Sequence, residues 1–208
     1  AELAHNRRLL LVVRRIAGQS ASLRIDANAA WSADEAVRQL DALRPFRLAG
    51  CEQPVPGQDY AGMAAVTAAG IAPVVADESL CSHADGERLV RERGCNIFNL
   101  RVSKNGGLLN TLRLYRLAEA AGLRCQLGAQ VGETGLLSAA GRHVAARLPG
   151  IVWCEGSYGR ILLRPDIVEP DVTVGLGGWA PALDAPGLGV TPDPRLLERF
   201  TTAHRTFA

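Results

Sequence analysis

The chain has 208 residues, 48% hydrophobic and 21% charged, with a formal net charge of +2. That suffices for one sizeable core but falls a little short of the roughly 250 residues of a standard eight-unit α/β barrel. The near-balanced charge lacks the clustered Lys/Arg of a nucleic-acid binder, and no apolar run approaches the roughly 18 residues of a membrane-spanning helix.

A helix is expected over Leu3 to Ile16, with Leu9 to Val13 as its core stripe and Arg7, Arg8, Arg14 and Arg15 on its surface. The Arg14-Arg15 break also spoils a secretory-signal reading. From Ser22 onward one pattern repeats: a short apolar strand, a polar residue at its end, a loop, then an amphipathic helix. Strand Ser22 to Asp26 precedes a capping box, Ser32-Ala-Asp-Glu35, that opens a helix over Ala33 to Leu43. Strand Leu48 to Glu52 leads through Pro54 and Pro56 to a helix near Tyr60 to Ala69. Strand Ile71 to Asp77 precedes a helix over Ala84 to Arg93, closed by Gly94. Strand Asn96 to Arg101 and the Gly106-Gly107 pair precede a helix over Leu108 to Ala121, with Gly122 just past its end. Strand Leu123 to Leu127, a helix around Leu136 to Leu148 and strand Ile151 to Glu155 complete the series.

Such alternation implies βαβ units and a parallel sheet. The strand-end residues Asp26, Glu52, Asp77, Arg101 and Gly128 are 26, 25, 24 and 27 positions apart. That even rhythm favours a barrel over a doubly wound sheet, and no Gly-x-Gly-x-x-Gly follows the first strand to support dinucleotide binding. Six units of about 25 residues account for the chain from Ser22, so the first two strands of an eight-unit barrel are expected to lie outside it.

Three consecutive strands end in carboxylates: Asp26, Glu52 and Asp77. In a parallel barrel all strand C-termini point at the face where active sites sit. Three anions converging there repel unless a cation lies between them, and hard oxygen ligands suit Mg²⁺. The plainer alternative is that acidic residues at strand ends cap the following loops.

Asp26-Ala-Asn28, Cys51-Glu-Gln-Pro54, Ala76-Asp-Glu-Ser79 and Asn99-Leu-Arg-Val-Ser-Lys-Asn-Gly-Gly107 resemble motifs of the enolase superfamily. The likeness is to its muconate-lactonising group, with cycloisomerases, o-succinylbenzoate synthases and dipeptide epimerases, and it runs from about Leu9 to Pro186-Gly-Leu-Gly-Val190. It implies an α/β fold, a (β/α) TIM-type barrel with strands three to eight present. Residues 1–208 would form a partial catalytic barrel domain, with the capping domain and the first two strands absent. It implies Mg²⁺ held by Asp26, Glu52 and Asp77, with Glu78 as the fallback for the third ligand, since neighbouring strand residues point to opposite faces. The implied chemistry is abstraction of a proton α to a carboxylate through an enediolate.

Relatives carry Lys-x-Lys on an upstream strand that this chain does not include. They place a second lysine where Arg101 stands here; Lys104 matches the next lysine of that run, in a supporting role. A guanidinium stays protonated and is a poor base but a good fixed cation. Arg101 therefore favours one-base chemistry, cycloisomerase or syn-eliminating lyase, over epimerase or racemase chemistry, which needs a base on each face. A simple salt bridge from Arg101 to Asp77 or Glu78 is the plainer alternative, and a non-catalytic remnant is a further one. Substrate-binding candidates are Asn28, Glu133 and Glu155. Asn28 reads equally as a loop cap, and Glu133 as part of a helix N-cap near Thr134. Glu155-Gly-Ser157 replaces the Asp-x-Asp with which dipeptide epimerases hold an amino group.

The five cysteines, widely spaced and without a CxxC pair, suggest reduced thiols and a cytoplasmic setting. His83 and His143 fall in predicted helices and read as surface or packing residues. The expected partners are a small carboxylate substrate and, because open sheet edges invite association, another copy of the chain; neither nucleic acid nor membrane is expected.

Overall fold

The computed structural model of the chain describes residues 2–205. They form two compact units: residues through Leu100 together with Leu109–Gln126, and Arg101–Leu108 together with residues from Leu127 onward.

The first unit holds α1 (Glu2–Ala17), β1 (Arg24–Asp26), α2 (Ala33–Leu43), β2 (Gly50–Glu52), α3 (Tyr60–Ala68), β3 (Val74–Ala76), α4 (His83–Glu92) and β4 (Ile97–Leu100). It also holds all but the end residues of α5 (Leu108–Ala120) and β5 (Arg124–Leu127). The strands lie in sequence order, β1-β2-β3-β4-β5, and the pairs from β1 to β4 are parallel. A doubly wound sheet reverses its strand order at a switch point; this order does not reverse, as the even rhythm predicts. β2, β3 and β4 are buried along their whole length, as sheets covered on both faces are. β1 has a partner on one side only and is half-buried to exposed.

Strands are shorter than expected, most clearly β3, which starts at Val74 and not Ile71. Pro73 precedes it and, having no N–H, enters the ladder only as an acceptor, from Cys51 N–H at 2.8 Å. The expected capping box of α2 is half formed. The Ser32 hydroxyl accepts from Glu35 N–H at 3.3 Å, but the Glu35 carboxylate turns to Arg38 and Gln39. The complete box is on α4, between Ser82 and Asp85. That helix ends one residue earlier than expected: Arg93, not Gly94, takes the left-handed conformation, at φ 54°. Inside α4, a Cβ on Gly86 would come within 2.7 Å of Leu114 Cδ2, so the glycine lets α4 and α5 approach closely.

α1 departs furthest from its expected faces. Of the stripe Leu9 to Val13 only Leu10 is buried, clustered with Leu43 and Phe46 against Leu23 and Ile25, while Leu9, Leu11 and Val12 are exposed. Arg14, expected on the surface, is 7% exposed. It donates to the carbonyls of Gly18 (3.1 Å), Ala21 (2.7 Å) and Phe46 (2.7 Å), tying α1 to its own C-terminal loop and to the turn after α2. Helical periodicity locates an apolar stripe but does not identify which side finds a partner.

The second unit contains α6 (Gly135–Arg147), β6 (Ile151–Cys154), a short helix α7 (Gly159–Leu162), β7 (Val168–Glu169), β8 (Thr191–Pro192) and α8 (Pro194–Phe200). Glu155, just past β6, donates its N–H to Leu127 O at 2.8 Å. The antiparallel β7·β8 pair and α8 are elements the sequence reading does not anticipate. Asp166 accepts from Gly135 N–H and Ile167 N–H, fastening the start of α6 to the strand that follows α7. A Cβ at Gly135 would overlap the Val168 side chain. No helix among the described residues is long and apolar enough to cross a membrane. All five cysteines are free thiols.

Candidate functional site

In the first unit, register decides which polar side chains share a face. Asp26 is the Cα partner of Glu52, and Glu52 of Val75; Val75 is the partner of Ile97. Because strand side chains alternate, Asp77 and Asn99, each two residues on, share the face of Glu52. Asp26 and Glu52 are therefore level, while Asp77 is stepped about 6.6 Å further along the strand direction, from two residues at about 3.3 Å each. Asp77 is 3% exposed and its neighbour Glu78 is exposed, so alternation selects Asp77 over the fallback Glu78 for this face.

Asn99 bridges the step. Its Nδ2 donates to Glu52 Oε1 at 2.6 Å and to Asp77 Oδ1 at 3.2 Å. Gln126 Nε2 donates to Glu52 Oε2 at 2.9 Å, and Arg24 Nη1 donates to Gln126 Oε1 at 2.8 Å. Burial pushes the Glu52 carboxyl above the usual carboxylate range, and the charges of Asp77 and Asp26 push it further the same way. Two amides thus partly offset a charge that the buried carboxylates would otherwise share unfavourably. Asp26 is exposed, and its Oδ1 accepts from Asn28 N–H at 2.8 Å, closing the turn after β1. Asn28 takes a left-handed φ of 46° in that turn, where the capping side chain is that of Asp26.

Among the described residues no three His, Cys, Asp or Glu side chains stand close enough to hold one ion. The structure brings Glu52 and Asp77 to shared donors and puts Asp26 in register beside Glu52, but does not close the three into one ligand cluster. Equal spacing along the sequence does not make strand ends level: register puts Asp77 a step beyond the level pair Asp26 and Glu52. The donor set still fits a hard cation, being all oxygen and partly buried, with like charges raising the Glu52 carboxyl.

Four supporting residues escape the sequence reading: Arg24, Gln53, Asn99 and Gln126. Gln53 is fully buried. Its Nε2 donates to Val55 O (2.9 Å) and Ser79 Oγ (2.7 Å), and its Oε1 accepts from the N–H groups of Asp77 (2.9 Å) and Ser79 (3.1 Å). It stitches the end of β2 to the end of β3 and fixes the backbone of Asp77. The available signal was a lone amide in an otherwise apolar strand, Ile-Phe-Asn99-Leu and Arg-Cys-Gln126-Leu; buried polar residues need partners and are informative for that reason.

In the second unit, Arg101 is half-buried. It receives Asn105 Oδ1 on its backbone N–H at 2.8 Å and donates from Nη1 to Gln130 Oε1 at 3.2 Å. Lys104 lies three residues on and is half-buried. Glu133 does not act in a helix N-cap. Its Oε1 accepts from Gln130 N–H (2.9 Å) and Ser103 Oγ (2.7 Å), while Thr134 caps α6 without a side-chain bond. Glu133 and Glu155 line one cavity of about 130 Å³ at the ends of β5 and β6, so two of the three candidate substrate-binding residues share a space. His83 sits exposed beside Glu87 (3.5 Å) and His143 contacts Leu188 O (3.1 Å), surface and packing roles as expected.

Known proteins share this architecture. The family described as enolase C-terminal domain-like matches residues 2–196. A D-Ala-D/L-Ala epimerase of Cytophaga hutchinsonii is 40% identical over 134 residues, 64% of this chain and 36% of that protein. Muconate cycloisomerase 1 of Pseudomonas putida is 33% identical over 200 residues, 95% of this chain and 52% of that protein. The solved structure of a dipeptide epimerase from Cytophaga hutchinsonii, complexed with Mg and the dipeptide D-Ala-L-Val, superimposes with a TM-score of 0.83 at 33% identity, covering 91% of this chain and 51% of that one. The chain thus spans about half the length, or less, of the relatives it matches. With matching spread over nearly all of its length, the chain belongs to the enolase C-terminal domain-like family.

Proposed function

We propose that this chain is the catalytic portion of a Mg²⁺-dependent enzyme that removes a proton α to a carboxylate, forming an enediolate. One observation carries the reading: Glu52 and Asp77 share the Asn99 amide on the face where Asp26 stands in register with Glu52. Asp26, Glu52 and Asp77 would hold the ion, which supplies positive charge to bind a substrate carboxylate and offset the charge that develops on it. Asn99 and Gln126 orient Glu52, and Gln53 holds the Asp77 backbone.

Arg101 is a permanent cation fixed by Gln130, suited to steadying an anion and not to taking a proton. That favours one-base chemistry, a cycloisomerisation or syn elimination, in which the proton would pass to a lysine of the Lys-x-Lys that relatives carry on an upstream strand, with Lys104 in support and Glu133 and Glu155 contacting substrate. Epimerisation is the second reading, favoured by the 40% identity to an epimerase acting on Ala-Ala dipeptides and the likeness to a Mg–dipeptide complex.

Calorimetric Mg²⁺ titration is the first test. Saturable binding lost in Glu52→Gln and Asp77→Asn is expected, and a chain that binds no Mg²⁺ overturns the reading. NMR in D₂O with cis,cis-muconate or an Ala-Ala dipeptide then separates the two chemistries. Deuterium at the α carbon with inversion would establish the epimerase.

A further inference from the structure

The cavity lined by Glu133 and Glu155 also holds an arginine that forms no ion pair among the described residues. It is enclosed by α6, the residues following β5 and β6, and the segment near Val174–Ala180, all within the second unit. Its volume of about 130 Å³ is that of about four liquid waters. Arg142 on α6 lines it and is half-buried. Among the described residues every acceptor of its guanidinium is neutral: Val172 O, Pro181 O at 3.2 Å and Ser157 Oγ at 3.4 Å. Burial holds its pKa below that of a free guanidinium, yet a group of this basicity stays charged at neutral pH. A partly desolvated cation served only by dipoles is an incomplete electrostatic arrangement.

A second observation points into the same space. Ser138, one turn before Arg142 on α6, lines the cavity, is 6% exposed, and its hydroxyl has no hydrogen-bond partner among the described residues. Buried hydroxyls are normally paired. Ser157, which also lines the cavity, takes a left-handed φ of 59°, a conformation that costs energy in a non-glycine residue and recurs at ligand clamps.

The rest of the lining sets the ligand class. Leu127, Leu137, Ala145 and Val174 make much of the wall apolar. Glu133 and Glu155 oppose a polyanion, and Glu133 has its Oε1 committed to Ser103 and Gln130. We propose that this cavity binds the carboxylate end of a short-chain organic acid, with Arg142 as the anion-binding group, Ser138 and Ser157 as hydroxyl partners, and the apolar wall receiving the acyl chain. The subsite shares Glu133 and Glu155 with the proposed substrate contacts and rests on that part of the proposed function, but it uses no residue assigned to the metal, so its failure and that of the metal site are told apart.

The test is calorimetry on the whole chain in EDTA, so that Mg²⁺ plays no part, with butyrate as probe. Butyramide, inorganic phosphate and chloride at matched ionic strength are the controls. Saturable butyrate binding is expected, weakened about tenfold or more in Arg142→Gln, which loses charge-assisted bonds, and about threefold in Ser138→Ala, which loses a neutral one. Equal binding of butyramide or phosphate, unchanged binding in Arg142→Gln, or no saturable response would overturn the proposal. If Arg142→Gln does not fold, Ser138→Ala decides: unchanged affinity there counts against the site, and weakened affinity with an unchanged far-UV CD spectrum supports it.

Discussion

Gln53→Leu keeps the approximate volume of a fully buried side chain and removes all five of its side-chain hydrogen bonds, the longest of them to Met63 Sδ at 3.6 Å. The polar groups left behind are the N–H of Asp77, the N–H and hydroxyl of Ser79 and the carbonyl of Val55, in residues 3%, 1% and 0% exposed. A buried polar group stripped of its partner costs about 1–3 kcal/mol, so four would cost about 4–12 kcal/mol if independent. They are neighbours and relax together, and leucine gains apolar burial. A loss of about 3–5 kcal/mol is expected, a large share of the roughly 5–15 kcal/mol of a typical domain. With a urea m-value near 2 kcal/mol/M, the midpoint falls by about 1.5–2.5 M. Urea unfolding followed by far-UV circular dichroism measures it directly. Because Gln53 also anchors the Asp77 backbone, Mg²⁺ affinity should fall in the same variant under conditions where it remains folded. A midpoint shift corresponding to less than about 1 kcal/mol would refute the assignment of Gln53 as the stitch between β2 and β3.

Asp85→Ala breaks the α4 capping box and removes the nearer of the two acceptors of the Tyr60 hydroxyl, at 2.8 Å, leaving Ser79 O at 3.3 Å; a loss of about 2 kcal/mol is expected from thermal unfolding, against about 1 kcal/mol for Ser82→Ala, which removes only the cap. Burial pushes the thiols of Cys51, Cys95 and Cys125 up to about 12, so at pH 8 only about one in ten thousand is thiolate. Ellman's reagent should therefore label exposed Cys81 first and reach all five cysteines only in denaturant, and fast native labelling of Cys51 would contradict its burial. In metal-free protein Glu52 has a carboxyl raised above its ordinary value of 4.5. The folded state then binds its proton more tightly than the unfolded chain, so stability gained from Glu52 is full below about pH 4.5 and is lost as pH rises through the folded pKa. Glu52→Gln should flatten that part of the stability–pH curve, and an unchanged slope would show that Glu52 is not the group responsible.

Much of the first unit was legible in the chain itself. The 24–27 residue rhythm gave strand order and parallel pairing, because each βα unit needs one strand, one loop and one helix of near-constant length. Four strand-end motifs gave the family and selected Asp26, Glu52 and Asp77 as polar ends of otherwise apolar strands. Glu133 was found as a candidate but not its partners, Ser103 and Gln130, and the β7·β8 pair carried too short an apolar pattern to be seen. Arg14 was misread because a guanidinium can leave the surface when three carbonyls of distant loops converge on it, and nothing in its helix announces them.

Sequence alone therefore determined which residues end the strands, since that depends on local alternation and on the fixed length of a repeating unit. Folding decided which of them meet. Register set Asp77 a step beyond Glu52; the Asn99 amide spans that step and the Gln126 amide holds the other Glu52 oxygen, from residues 47 and 74 positions away from Glu52. Such partnerships follow from sheet pairing and burial in three dimensions, where an unpaired polar group is costly, and no spacing along one chain encodes them.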